Sequence, residues 1–219
     1  AGKVVVQAGE GTDDVLNVDD SGDTADNTGE MTVSSITGLG MTGGGIAYDG
    51  LETLNLWLGT GSDTFTAHST HTQLTNVYGG DGDDIMTLED AAGLTNIYGA
   101  DGDDEITVDT LVSLDTGVTG DTVNLDGQAG NDDYIVNVTG SGDYLVNVLD
   151  TGTSEGNEDT LTVNGTSGAD AFLLRASEHE YPTGIAFVAV LHGDPVADVE
   201  RINYNKAICL LYTSPSPRD

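Results

Sequence analysis

The chain has 219 residues, with 38 acidic side chains against five basic ones and a formal net charge of -33. Such a field repels nucleic acid and anionic membranes and attracts cations, so nucleic-acid binding is excluded as a function. No stretch approaches the length of a membrane span, and 37% hydrophobic residues in short alternating runs argue against charge-driven disorder.

Taken in chain order, the first β-type run is Val4, Val5 and Val6, after a first residue that is Ala1 rather than Met. Gly11-Thr12-Asp13 follows, with Val15 two residues beyond the aspartate. Leu54-Asn55-Leu56 alternates as a half-buried strand would and leads into Trp57, expected as a rim or core residue. His68 and His71 stand three apart without a cysteine or a third histidine, which predicts an exposed polar turn.

The middle of the chain repeats. Leu74–Thr87 (LTNVYGGDGDDIMT) and Leu94–Thr107 (LTNIYGADGDDEIT) agree at ten of fourteen positions with a shift of 20. A glycine two residues before an aspartate, and an apolar residue two after it, recur around Asp13, Asp63, Asp84, Asp104, Asp132 and Asp170. An imperfect copy spans Gly156–Leu161. Glycine supplies positive φ and close backbone approach, and Asp and Asn favour turns, so each copy reads as a turn feeding a strand. Two strands and two turns in about 20 residues make one coil of a stack. Stacking at strand spacing predicts Asn76 on Asn96, Tyr78 on Tyr98 and Thr87 on Thr107. Helix signals are almost absent, and β-type runs continue with poorer repeats beyond residue 171.

Gly79–Thr87 matches the nonapeptide G-G-x-G-x-D-x-U-x, with U a large apolar residue; Gly99–Thr107 departs only at Ala100 and Gly127–Ile135 only at Gln128. On these residues the chain resembles the repeats-in-toxin, or hemolysin-type, calcium-binding repeat proteins, of the large bacterial surface and adhesin kind. The resemblance is close over about 60 residues and loose over residues 1–175. It departs from the family in carrying one nonapeptide per coil, which places ions along one edge only.

The resemblance implies an all-β fold, a parallel β-helix or β-roll-like solenoid truncated at both ends, with calcium (Ca2+) held between coils. Its motif aspartates, Asp84, Asp104, Asp132 and Asp63, are the implied side-chain ligands. Gly79, Gly82, Gly99 and Gly102 shape the turns, while Asp81, Asp83, Asp101, Asp103 and Asn131 add ligands or negative potential. Calcium takes six to eight oxygens in flexible geometry. Without it, two carboxylates about 5 Å apart repel by roughly 3 kcal/mol at an effective dielectric of 20, so binding and folding should be coupled.

The function expected is a calcium-dependent structural segment, extracellular or on a bacterial cell surface, without catalysis. Its partners are calcium ions and neighbouring coils of the same parent chain. A surface glycan or cell-surface ligand is the alternative partner, with Tyr78 and Tyr98 as the candidate aromatic row. A β-helical polysaccharide lyase would need a Lys or Arg base beside the ion, and Lys3, Arg175, Arg201 and Lys206 all lie far in sequence from the Asp cluster. An ice-binding surface is disfavoured because the Thr60 position becomes Asp81, Asp101 and Ala129.

Residues 1–208 are expected as the solenoid, with the best repeats at 58–138. Residues 209–219 (CLLYTSPSPRD) resemble a translated transposase sequencing adapter and are set aside from the fold. They hold the only cysteine, so no disulfide is expected.

Overall fold

In the computed structural model, residues 2–111, 122–140, 142, 144–152, 158–176, 185–191, 199–205 and 208–213 are described, and none of them is helical. The Thr, Asn and aliphatic runs between glycine-rich turns form strands, as their β-branched and alternating character dictates. They build two sheets whose pairing is mostly parallel.

Through the middle the chain alternates strictly between the sheets. β6 (Thr53–Gly59), β8 (Leu74–Asp81), β10 (Thr95–Asp101), β12 (Val123–Ala129) and β14 (Tyr144–Val148) lie side by side in a nine-stranded sheet. β7 (Thr64–Ala67), β9 (Ile85–Leu88), β11 (Glu105–Val108), β13 (Asp133–Asn137) and β15 (Thr160–Asn164) lie side by side in a ten-stranded one. The sequence register holds: Asn76 pairs with Asn96, Tyr78 with Tyr98 and Thr87 with Thr107.

The ends are less regular. β1 (Val4–Gln7), β5 (Ile46–Asp49), β4 (Ser35–Gly38) and β3 (Thr28–Thr32) complete one end of the ten-stranded sheet, with β3, β4 and β5 antiparallel in succession. β2 (Val15–Asp19) pairs parallel with β6. At the far end β16 (Phe172–Ala176), β17 (Ile185–Leu191) and β18 (Val199–Asn205) run antiparallel to one another, and β18 joins β14 in parallel. β19 (Cys209–Thr213), from the segment set aside on sequence grounds, pairs parallel with β15. That pairing is between backbones, which any sequence without proline can supply, and says nothing of where the segment came from.

The core lies between the inward faces of the two sheets. Leu54, Leu56 and Leu58, Val77, Ile97, Val123 and Leu125, and Val146 and Val148 enter it from the nine-stranded sheet. Phe65, Met86, Ile106, Tyr134 and Leu161 form one facing column, in register from strand to strand. Each such side chain contributes about 1.5–3 kcal/mol on full burial, so a narrow core made of repeats suffices.

Outward residues of the nine-stranded sheet form ladders. The side-chain amides of Asn203, Asn147, Asn124, Asn96, Asn76 and Asn55 each donate to the carbonyl oxygen of the preceding rung, at 2.7–2.8 Å, ending on Asn17. Beside it the rings of Trp57, Tyr78 and Tyr98 stack face to face, with centroids 5.1 and 5.0 Å apart and planes 8° apart. Trp57 is therefore neither a core residue nor at a rim: period-two alternation from Leu56 turns it outward onto Tyr78.

Candidate metal centre

The repeated turns carry the chain from the nine-stranded sheet into the ten-stranded one, so they stack along a single edge. Their geometry explains the glycines. Gly80, Gly82, Gly102 and Gly130 all have positive φ. A Cβ on Gly82, Gly102 or Gly130 would run into the carbonyl oxygen of Gly61, Gly82 or Gly102 in the preceding repeat. Ala100 and Gln128, the two departures from the motif, keep the backbone of Gly80 at φ 94° and 72°. They adopt a left-handed conformation that disfavours a side chain by about 1–2 kcal/mol.

The motif aspartates point inward. Asp63, Asp84, Asp104 and Asp132 are buried and form a column. Oδ1 of each accepts a backbone N–H from the preceding repeat: Asp63 from Asn27 at 2.7 Å, Asp84 from Asp63 at 2.7 Å, Asp104 from Asp84 at 2.8 Å and Asp132 from Asp104 at 2.9 Å. Asp159, from the imperfect copy, continues the series by accepting from Asp132 at 3.1 Å. Oδ2 of Asp63, Asp84, Asp104 and Asp132 is buried without a hydrogen-bond partner. In the regular repeats it fills the space that a side chain on Gly79, Gly99 or Gly127 would take.

No Lys or Arg among the described residues forms an ion pair with these carboxyls; the ion pairs found are those of His68 with Glu30 and Glu89. Burial first, and then the neighbouring carboxylates, push Asp84, Asp104 and Asp132 up to about 7, and burial raises Asp63 as well. A buried carboxyl row that has no ion pair among the described residues is stabilised when protons or bound cations neutralise it.

The other sequence candidates lie on the opposite, exposed side of the turns. Asp81 and Asp101 end β8 and β10 as exposed neighbours in register. Asp83, Asp103 and Asn131 form an exposed ladder: Asp103 N–H donates to Asp83 at 2.9 Å, and Asn131 N–H to Asp103 at 2.8 Å. The structure thus separates the acidic candidates into a buried column and a solvated one.

Where the regular repeat ends, three carboxyls converge. One carboxylate oxygen from each of Asp132, Asp150 and Asp159 lies within 4.8 Å of the others. The pairing of Leu125 with Val148, continued two residues further, sets Asp150 opposite Gly127, at the position held by Gly79 and Gly99 in earlier repeats. Tyr134, in the apolar column, donates its hydroxyl to Asp150 Oδ2 at 3.0 Å and accepts the Gly127 N–H at 2.5 Å. Gly152 N–H holds Asp150 Oδ1 at 2.6 Å. Burial is the main cause that raises Asp150. The donors are all oxygen, which suits a hard cation of the calcium class. Sequence reasoning missed Asp150, which stands in no glycine-aspartate turn. Aligning Val146-Asn147-Val148 with Val123-Asn124-Leu125 would have found it.

Two outlying copies do not join the column. Gly9–Leu16 feeds β2 of the nine-stranded sheet, at the other edge, and there Val15 is exposed while Leu16 turns inward. Its half-buried acid is Asp14, not the exposed Asp13, with a buried Oδ2 against Gly11. Asp170 precedes β16 and accepts the Thr166 hydroxyl at 2.6 Å. Of the two histidines, His68 is exposed beside Glu89 at 2.7 Å, which raises its pKa. His71 is buried edge-on to Tyr48 and lowered by burial, so only one of the pair lies in an exposed polar turn.

No family model, curated protein or solved structure matches the chain.

Proposed function

We propose that this chain is a calcium-binding structural segment of a secreted or cell-surface bacterial repeat protein. Its coils stack as a parallel β-solenoid, and its folding is coupled to extracellular calcium. The observation that carries this reading is the column of Asp63, Asp84, Asp104 and Asp132, each buried with one unsatisfied oxygen and, among the described residues, without an ion pair. Strict alternation of the middle strands between two mostly parallel sheets supports the solenoid. Calcium at about millimolar concentration outside the cell neutralises the acidic edge and rigidifies a chain that stays loose in the cytosol. The segment acts as a stalk or spacer and catalyses nothing.

The glycan-binding alternative needs exposed aromatic faces. Trp57, Tyr78 and Tyr98 do form an outward row, but they stack on one another and present edges, which removes the flat platform a sugar would use. A lyase would need a base beside the ion. Lys3, Arg175 and Arg201 are exposed and form no ion pair with the aspartate column, and Lys206 lies outside the described residues.

The test is far-ultraviolet circular dichroism of the chain at pH 8, titrated with calcium from chelator. A cooperative gain of β signal that is lost in Asp84→Ala and Asp104→Ala is the expected result. A β spectrum indifferent to chelator would overturn the coupling.

A further inference from the structure

The regular repeats and their last member differ in a way that the motif alone does not convey. In the regular repeats a glycine lies beneath each motif carboxyl, and an apolar side chain stands two residues after the aspartate. At the last of them the next strand brings Asp150 to the glycine position, and the apolar position holds Tyr134. Both changes add oxygen to one buried place. We propose that Asp132, Asp150 and Asp159 form a discrete site for one hard divalent cation of calcium's size, distinct from any ion along the repeated turns.

Two observations beyond the cluster of acids point to a ligand. Asp132 is wholly buried, and its Oδ2 has no hydrogen-bond partner. Asp150 is held at both oxygens, Oδ1 by the Gly152 N–H and Oδ2 by the Tyr134 hydroxyl, so its carboxylate is fixed before an ion arrives. The spacing fits. Oxygens about 2.3–2.6 Å from one calcium ion stand at most about 4.6–5.2 Å apart, and one oxygen from each of the three carboxylates lies within 4.8 Å of the others. Three carboxyls at this spacing, without an ion pair among the described residues, repel one another, and a divalent ion reverses that sign. The inference rests on the calcium reading for the identity of the ion, but not for the site, which needs no coupling of folding to calcium.

The experiment uses the full chain, stripped of metal and titrated with terbium and then with calcium, reading terbium luminescence sensitised by tyrosine together with calorimetric stoichiometry. Tyr134 is the expected donor, because its hydroxyl touches Asp150. Asp150→Gly gives this strand the residue that the regular repeats carry, and Asp150→Asn keeps the side chain's shape and one of its two acceptor oxygens while removing its charge. The wild-type chain should bind terbium with saturation and release it to calcium. Asp150→Gly should lose one equivalent, Asp150→Asn should weaken that equivalent by about tenfold or more, and Tyr134→Phe should remove most of the sensitised signal. Asp150→Asn should also melt higher than the wild type in chelator and lower in calcium, a reversal that a purely structural aspartate would not produce. Unchanged stoichiometry and affinity in both Asp150 variants, or no saturable terbium in the wild type, would overturn the site. If Asp150→Gly loses its equivalent while calcium leaves the dichroism unchanged, the site stands and the coupled-folding reading falls. If Asp84→Ala abolishes calcium-dependent folding while Asp150→Gly titrates like the wild type, the opposite holds.

Discussion

Asp83 and Asp84 are consecutive residues of one type, as are Asp103 and Asp104, yet the members of each pair have opposite surroundings. Asp84 and Asp104 are buried, and each carboxyl accepts an N–H from the repeat before it. Asp83 and Asp103 are exposed; the carboxyl of Asp83 accepts from the next repeat, and so does that of Asp103. Two ladders of opposite polarity therefore run along one edge, a residue apart. Side-chain parity in the extended turn, not residue type, decides which carboxyl meets solvent and which meets the core.

The largest contrast is expected between a glycine packed under the buried column and one in an open turn after β2. Gly99→Ala would press a methyl group into the Asp104 carboxyl and to 2.7 Å from the Gly127 carbonyl oxygen, and should destabilise by about 3 kcal/mol in urea unfolding. Gly22→Ala, which meets nothing within 4 Å, should stay within about 0.5 kcal/mol. A similar loss at both positions would mean that the buried column is not tightly packed.

Next come the aspartates themselves. In calcium, Asp104→Ala leaves the Asp84 N–H buried without an acceptor and should lose about 2 kcal/mol, against less than about 1 kcal/mol for the exposed Asp103→Ala. Asp104→Asn keeps an oxygen for that N–H but drops the charge, so in chelator at about pH 8 it should be more stable than the wild type. Equal effects at 103 and 104 would erase the distinction between the columns.

The pH dependence of the metal-free chain follows from the same burial. Folded Asp84, Asp104 and Asp132 titrate at about 7, whereas unfolded aspartate titrates near 3.9. Between those values the folded chain holds protons that the unfolded chain has released. Their contribution is fully present below about pH 4, falls as pH rises to about 7, and is flat above that. Denaturant midpoints in chelator should trace that slope, and saturating calcium should flatten it by taking the protons' place. A midpoint that rises across this window would show the column ionised and satisfied without metal.

The smallest effects concern the backbone shared by both columns. Ala100→Gly and Gln128→Gly should each raise stability by about 0.5–1 kcal/mol in thermal melts, because glycine accepts the positive φ at both sites without strain. No gain at either would mean that the left-handed turn relaxes around a side chain.

The register of the middle was legible in the sequence because it was written twice: Asn76, Tyr78 and Thr87 recur as Asn96, Tyr98 and Thr107, and the sheets pair them so. The turn edge was legible for the same reason. The inward sense of Asp84 and the outward sense of Asp83 were legible only in part: Asp84 shares the parity of buried Met86 and Leu88, but the adjoining apolar Ile85 is exposed and shares the parity of Asp83. The outer copies misled because a glycine-aspartate turn before a strand has the same local chemistry at either edge, and only the pairing of β2 with β6 tells which edge Gly9–Leu16 occupies. Asp150 was hidden by position: its role comes from standing opposite Gly127, a relation between strands rather than within one.

The amide ladder has a direction. Every rung from Asn203 to Asn55 donates toward Asn17, so the side-chain dipoles add head to tail along the molecule as peptide dipoles do along a helix. The carbonyl pole falls at Asn203, whose Oδ1 accepts from the Arg201 guanidinium at 2.8 Å while that guanidinium lies 4.4 Å over the Phe187 ring. In a chain with five basic residues, one of the few cations thus stands where a lysine or arginine stands in the last turn of a helix. The row of asparagines behaves as a macrodipole built on a sheet, with a charge-capped C-terminal pole.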